Sequence, residues 1–394
     1  MTAGALLAVL LAAAAGVLAG RAWAAVRRGD PRGHPAFRTS AHYTEALHSL
    51  SAGQLELAIT ELAKAAREDA GAVDVQLVLG NLLREAGRVE RAIQVHQALI
   101  DRDDLARTER VHAQVCLGSD FRTAGFLDRA WRIFREVLDT DPGNIHALMG
   151  LQKLHEEQRQ WQQAFECQTR LSRLRKTDDS MVLAHLKAEM GREAARAGRQ
   201  AEAEAAFRAA LALNQAALPA HLGLAELSLS RDPRQAARIL EDAIRICPER
   251  AYLVFDHLAR AYAAAGEPSR FALMCERIIR DQPRDWRARL ALARNLRDEG
   301  RLGEAFGLLL RAVETNPQVL LAHLETWLTL KALGAPREAL DRYVATAQQA
   351  VFFAAPHVCT ACRYRAEEML WRCPHCHNWN SFVEERWGPP AGAR

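Results

Sequence analysis

The 394-residue chain has no long block of one charge: 52 Lys and Arg are set against 48 Asp and Glu, interspersed along the length, for a formal net charge of +4. That distribution excludes the electrostatic footprint of a dedicated polyanion binder, and no nucleic-acid partner is expected. The motifs of catalysis are missing too, with no P-loop, no G-x-S-x-G and no H-E-x-x-H. No catalytic residue is therefore expected, and the 14 histidines read as helix-surface or packing residues. Paired cysteines are absent from most of the chain. Cys116, Cys167, Cys247 and Cys275 stand alone in helix-like sequence and read as reduced, buried small hydrophobes.

Charge is absent altogether from Met1 to Gly20, where "AGALLAVLLAAAAGVLAG" is apolar throughout. About 20 helical residues rising about 1.5 Å each match a hydrocarbon layer about 30 Å thick. Ala22-Trp23-Ala24 imitates a signal-peptide cleavage site, but no Lys or Arg precedes the apolar run, whereas Arg21, Arg27, Arg28, Arg32 and Arg38 follow it. Residues 1–26 are thus expected to be an uncleaved single-pass anchor in membrane lipid, its N-terminus outside and the bulk of the chain cytoplasmic. Residues 27–40, with two Pro and two Gly, read as a juxtamembrane linker.

Between residues 41 and 350 the sequence repeats itself. In "LGSDFRTAGFLDRAWRIFREVLDTDPGN", Leu117-Gly118, Phe121, Gly125, Ala130, Phe134 and Pro142 follow the tetratricopeptide order. The small residue of helix B recurs at Ala58, Ala92, Ala130, Ala164, Ala203, Ala236, Ala305 and Ala339, with Phe271 filling the one gap. Successive steps are 34, 38, 34, 39, 33, 35, 34 and 34 residues, so the expectation is an all-α superhelix of about nine helix pairs, the extra residues falling in two inter-repeat loops. A two-helix hairpin cannot bury its apolar face alone, so equivalent units stack. Turn glycines recur at Gly53, Gly87, Gly125, Gly198, Gly266, Gly300 and Gly334, and Pro142, Pro248, Pro283 and Pro317 close four units. Helix A of such a repeat lines the surface that usually takes a peptide segment. Its outward positions here include Asn81, Arg84, Ser119, Arg122, Lys153, Arg192, Arg260, Arg294 and Arg297, mostly basic, and suggest a groove for an acidic or C-terminal peptide.

Residues 355–388 carry the paired cysteines, Cys359-x-x-Cys362 and Cys373-x-x-Cys376, ahead of a short tail at 389–394. Four soft thiolates at that spacing can close tetrahedrally on one Fe or Zn ion, leaving no open position for substrate. So short a segment cannot fold on a core alone, and the metal must contribute folding energy. Tyr364, Leu370, Trp371, Trp379, Phe382 and Trp387 supply a miniature core and a face expected to dock on the last repeats, while His357, His375 and His377 are expected to be solvent-exposed or to sit just outside the ligand shell. Two other functions fit four cysteines, an iron electron carrier and a zinc-ribbon nucleic-acid binder. Against the second, Arg363, Arg365, Arg372 and Arg386 are balanced by Glu367, Glu368, Glu384 and Glu385.

The knuckles resemble those of rubredoxin and zinc-ribbon domains, except that Arg363 and His377 stand where glycine commonly follows the second cysteine. Taken with the apolar N-terminus and the repeats, and with "LGNLLREAGRVERAIQVHQALI" and "YRAEEMLWRCPHCHNW", the whole chain resembles the lipopolysaccharide assembly protein B family. That resemblance implies a non-enzymatic adaptor of the bacterial inner membrane. It would hold a membrane AAA protease of the FtsH type near the lipid A deacetylase of the LpxC type, under a membrane-anchored regulator of lipopolysaccharide synthesis.

Overall fold

The computed structural model describes residues 40–316, 319–334, 337, 341 and 357–384. The expected anchor at 1–26, nearly all of the 27–40 linker, Ala339, Pro317, Trp387 and the 389–394 tail lie outside the described residues. Among the described residues no helix is long and apolar enough to cross a membrane.

The chain divides into two compact units, residues 1–126 and 127–394. The first contains α1 (Ala41–Ser51), α2 (Leu55–Glu68), α3 (Val73–Glu85), α4 (Val89–Ile100) and α5 (Arg107–Thr123). The second opens with α6 (Leu127–Thr140), α7 (Ile145–Glu157), α8 (Trp161–Arg175), α9 (Ser180–Arg196), α10 (Gln200–Leu213), α11 (Leu218–Leu229) and α12 (Pro233–Ile246). It continues through a 3-10 turn (Pro248–Leu253), α13 (Phe255–Ala264), α14 (Ser269–Asp281), α15 (Trp286–Asp298), α16 (Leu302–Thr315) and α17 (Leu320–Ala332), and ends in three short strands. Odd-numbered helices follow the A position of the tetratricopeptide pattern and even-numbered ones the B position: among the described residues the first unit holds two pairs and the A helix α5, and the second holds the B helix α6, five pairs and the A helix α17.

The B-helix alanines do what their spacing predicts. Ala58, Ala92, Ala130, Ala164, Ala203 and Ala305 are fully buried and Ala236 nearly so, with Phe271 buried in the same register. Four residues further on, His96, Phe134 and Phe207 meet glycines of the A helices. Phe207 sits between Gly191 of α9 and Gly223 of α11, where an added Cβ would come within 2.7 and 2.3 Å of its ring. Helix approach this close requires the bare glycine on each side. The turn glycines adopt the left-handed conformation, Gly87 at φ 76° for example, and Arg159 takes that conformation (φ 56°) in the α7–α8 turn, whose sequence offers no glycine.

One expectation is corrected. The residues behind the 38- and 39-residue steps lie mainly in helices, because α5 and α9 run for 17 residues where α3 and α7 run for 13. Four residues are close to one turn of about 3.6, so the A helix lengthens by a turn and the apolar face keeps its register.

The terminal strands β1 (His357–Cys359), β2 (Arg365–Ala366) and β3 (Phe382–Glu384) form one antiparallel sheet in the order β2-β1-β3. β1 pairs Val358 with Arg365 on one side and Val383 on the other. The module's apolar cluster is Cys359, Cys373 and Phe382, with Cys362, Ala366, Met369, Leu370 and Cys376 partly buried around them, so half of that core is cysteine.

Candidate metal centre

Each cysteine pair lies on a tight knuckle built the same way. The amide of Arg363 donates to the carbonyl of Cys359 and the amide of His377 to that of Cys373, both at 2.9 Å, while Cys359 and Cys373 donate to the carbonyls of Tyr364 and Asn378 at 2.8 and 2.9 Å. Closing such a loop needs a left-handed residue just past the second cysteine, and Arg363 (φ 63°) and His377 (φ 59°) adopt it despite their side chains. The missing glycines therefore do not change the knuckle; they load it with backbone strain of about 1 kcal/mol each.

The knuckles bring the four Sγ atoms within 4.8 Å of one another. Cys359 lies 3.6 Å from Cys376, and Cys362 lies 3.6 Å from Cys373. A tetrahedron with metal–sulfur bonds of about 2.3 Å has edges of about 3.8 Å, whereas a disulfide needs about 2.05 Å. All four are free thiols, Cys359 and Cys373 fully buried. Burial opposes ionisation at Cys359, but the Ser381 hydroxyl and the amides of Cys362 and Ala361 outweigh it and hold the thiol down to about 6. Burial pushes Cys376 up to about 12. Sulfurs this crowded all ionise only around a cation, so the donor set fits one tetrathiolate-bound ion.

The module docks on the middle repeats, which corrects the expected placement on the last ones. The Trp379 indole donates to Glu156 Oε1 of α7 at 2.9 Å, and Arg372 Nη2 pairs with Glu156 Oε2 at 2.7 Å. Glu156 is 3% exposed, and burial raises its carboxyl above the usual range against the opposing pull of Arg372, Trp379 and Gln152. His185 of α9 is stacked between Trp371 and Trp379, both centroids 5.7 Å away. Further along, Arg250 donates to Asn380 Oδ1 at 2.7 Å and the Tyr252 hydroxyl faces His357 Nε2 at 3.4 Å. A cleft of about 450 Å³ remains between the knuckles and helices α7–α9, and Lys153 is among its lining residues.

Of the flanking histidines, His375 is exposed beside Tyr364 and His377 faces Glu157 at 3.8 Å. His357 departs from expectation. It is 7% exposed, with Nδ1 donating to the carbonyl of Glu367 at 3.1 Å.

A family model described as the rubredoxin metal binding domain matches residues 357–384, and a tetratricopeptide repeat model matches residues 77–108. The lipopolysaccharide assembly protein B of Escherichia coli strain K12 is 25% identical over 378 residues, covering 94% of this chain and 95% of its own. Along most of its length the chain is thus similar to lipopolysaccharide assembly protein B. The lipopolysaccharide assembly protein B of Haemophilus influenzae is 24% identical over 312 residues, 78% of either chain. A crystal structure of a tetratricopeptide repeat protein from Parabacteroides merdae is 15% identical and covers 73% of this chain and 97% of its own, with a TM-score of 0.28, too low to carry weight.

Five of the groove cations already have carboxylate partners. Arg84 pairs with Asp120 at 2.7 Å and donates to Asn81 Oδ1 at 2.8 Å; Arg260 pairs with Glu226 at 3.3 Å, and Arg192 with Glu189 at 3.0 Å. Arg294 and Arg297 both reach the buried Glu325 at 2.7 Å. Ser119 donates to the carbonyl of Val115 at 3.0 Å, and Lys153 and Arg122 are likewise engaged. Asp120, Glu226 and Glu325 sit one repeat away on neighbouring A helices, so most of these arginines tie successive repeats together. An acid at a spacing of 28 to 36 residues was the sequence signal for this role.

Proposed function

We propose that the protein is a membrane-tethered, non-enzymatic adaptor that regulates lipopolysaccharide assembly, with Cys359, Cys362, Cys373 and Cys376 ligating one structural metal ion. The observation that carries this reading is the similarity to a lipopolysaccharide assembly protein B along 94% of the chain, spanning repeats and metal module alike. An adaptor needs a tether, a long recognition surface and a rigid terminal module. Residues 1–26 are the proposed tether, in the inner membrane with the remainder cytoplasmic. The A-helix surface is the proposed recognition surface, with Lys153 its favoured contact because Lys153 borders an open cleft. The proposed partners are a membrane AAA protease and the lipid A deacetylase it degrades. With four thiolates filling the coordination shell the ion would have no open position, so its contribution is structural.

Full-length chain, purified from its own membranes beside a Cys359→Ser variant, tests the reading by mass spectrometry of co-purifying proteins. The native chain is expected to retain protease and deacetylase, and the variant to lose them while deacetylase accumulates in the cell. Unchanged deacetylase abundance in the variant would contradict the adaptor role.

A further inference from the structure

The hairpin that carries Cys373 and Cys376 is also the one that grips the repeats. Arg372 and Trp379 face each other as a bridged pair at its base, directly outside the two cysteines, and both end on the single buried carboxylate of Glu156. Trp371 and Trp379 enclose His185, which is 2% exposed and has neither ring nitrogen hydrogen-bonded. A buried carboxylate is tolerated only while its cation and donors are in place. Those donors keep their positions only if the hairpin keeps its shape, and a module whose core is half cysteine has little besides a metal ion to shape it.

We propose that metal occupancy fastens the Trp371–Asn380 hairpin over the A-helix surface at α7 and α9, with Glu156 as the latch, so that loss of the ion uncovers this surface. The metal-loaded chain covers Glu156 and His185 with its own segment. The metal-free chain presents them to solvent. Ligation and repeat exposure are thereby linked through two residues that bind no metal themselves.

Hydrogen–deuterium exchange on the full-length chain tests this, reading peptides from 145–157 and 180–196 in three samples: metal-loaded, metal-stripped with a thiol-competing chelator, and metal-loaded Glu156→Ala. Metal content is measured in each. Removing one member of a buried ion pair shifts the docking equilibrium about a hundredfold. Exchange in both peptides is expected to rise on stripping and to rise similarly in Glu156→Ala, with one metal ion per chain retained in the variant. Arg372→Ala, made from the module side, should reproduce the Glu156→Ala pattern should that substitution disturb α7 directly. Stripping that leaves both peptides protected overturns the metal dependence. Protected peptides in metal-loaded Glu156→Ala and Arg372→Ala overturn the latch. A native chain that takes up no metal overturns the ligand assignment above and this inference with it.

Discussion

Two histidines, His96 in the first unit and His185 in the second, are buried almost equally and are held in opposite charge states. His96 Nδ1 donates to Asp120 Oδ2 at 2.5 Å, and the other carboxylate oxygen takes Arg84 at 2.7 Å. Burial works against the imidazolium, yet the bonds to Asp120 and Cys116 outweigh it and raise His96 to about 9. His185 has two indoles and no acceptor, so burial, helped by the charges of Arg250 and Arg192, lowers it to about 4. Equal burial therefore does not set the sign; the available partner does. The repeat pattern sharpens the point. His96 stands four residues after Ala92, the register of Phe134 and Phe207, and fits against Gly80 as Phe134 fits against Gly150. A position made for an aromatic hydrophobe has been given a charge, and Asp120 with Arg84 forms the network that neutralises it.

The largest way to break the comparison is Asp120→Asn, which strands a buried imidazolium beside Arg84. A loss of about 3–5 kcal/mol is expected in chemical denaturation. His185→Ala removes two ring contacts and no charge, so a loss of about 1–3 kcal/mol in module docking is expected, with metal content unchanged. Tryptophan emission from the metal-loaded variant reads it. The two residues also set opposite edges of the pH profile. The folded pKa of His96 is raised, so its contribution is complete below the unfolded value of about 6.5 and is lost as pH climbs through about 9. That of His185 is lowered, so its contribution is complete above about 6.5 and is lost as pH falls toward about 4. Stability against pH in His96→Gln should lose the alkaline limb alone, and in His185→Gln the acid limb alone. The smallest effect is expected at the strained turns: Arg159→Gly and Arg363→Gly relieve left-handed backbone and should each raise stability by about 1 kcal/mol, read as a later denaturation midpoint.

The repeats were legible because their physics is written at short range: a buried Ala at most helix crossings and a glycine in most A–B turns recur at a nearly constant step. The four cysteines were legible for the same reason, since ligand spacing is local. The destination of the module was not. Trp379 and Glu156 are 223 residues apart, and nothing in either segment names the other. The surplus of tryptophan beyond what a small core needs did announce a docking face, but not which repeats receive it. The added turns of α5 and α9 were misread as loops because spacing alone counts residues without saying how they are wound. The partners of the groove arginines were hidden for another reason: the acids that bind Arg84, Arg260, Arg294 and Arg297 lie one repeat away, and net charge along a single helix hides a partner on the next.

The central claim is that Glu156 and Arg372 form the joint between repeats and metal module. A double-mutant cycle on metal-loaded full-length chain measures it directly, with Glu156→Ala, Arg372→Ala and the double variant compared in denaturation. A coupling energy of about 1–3 kcal/mol is expected, with the double variant scarcely worse than either single one. Additive losses, with no coupling beyond about 0.5 kcal/mol, would show that the two side chains act independently and contradict the account.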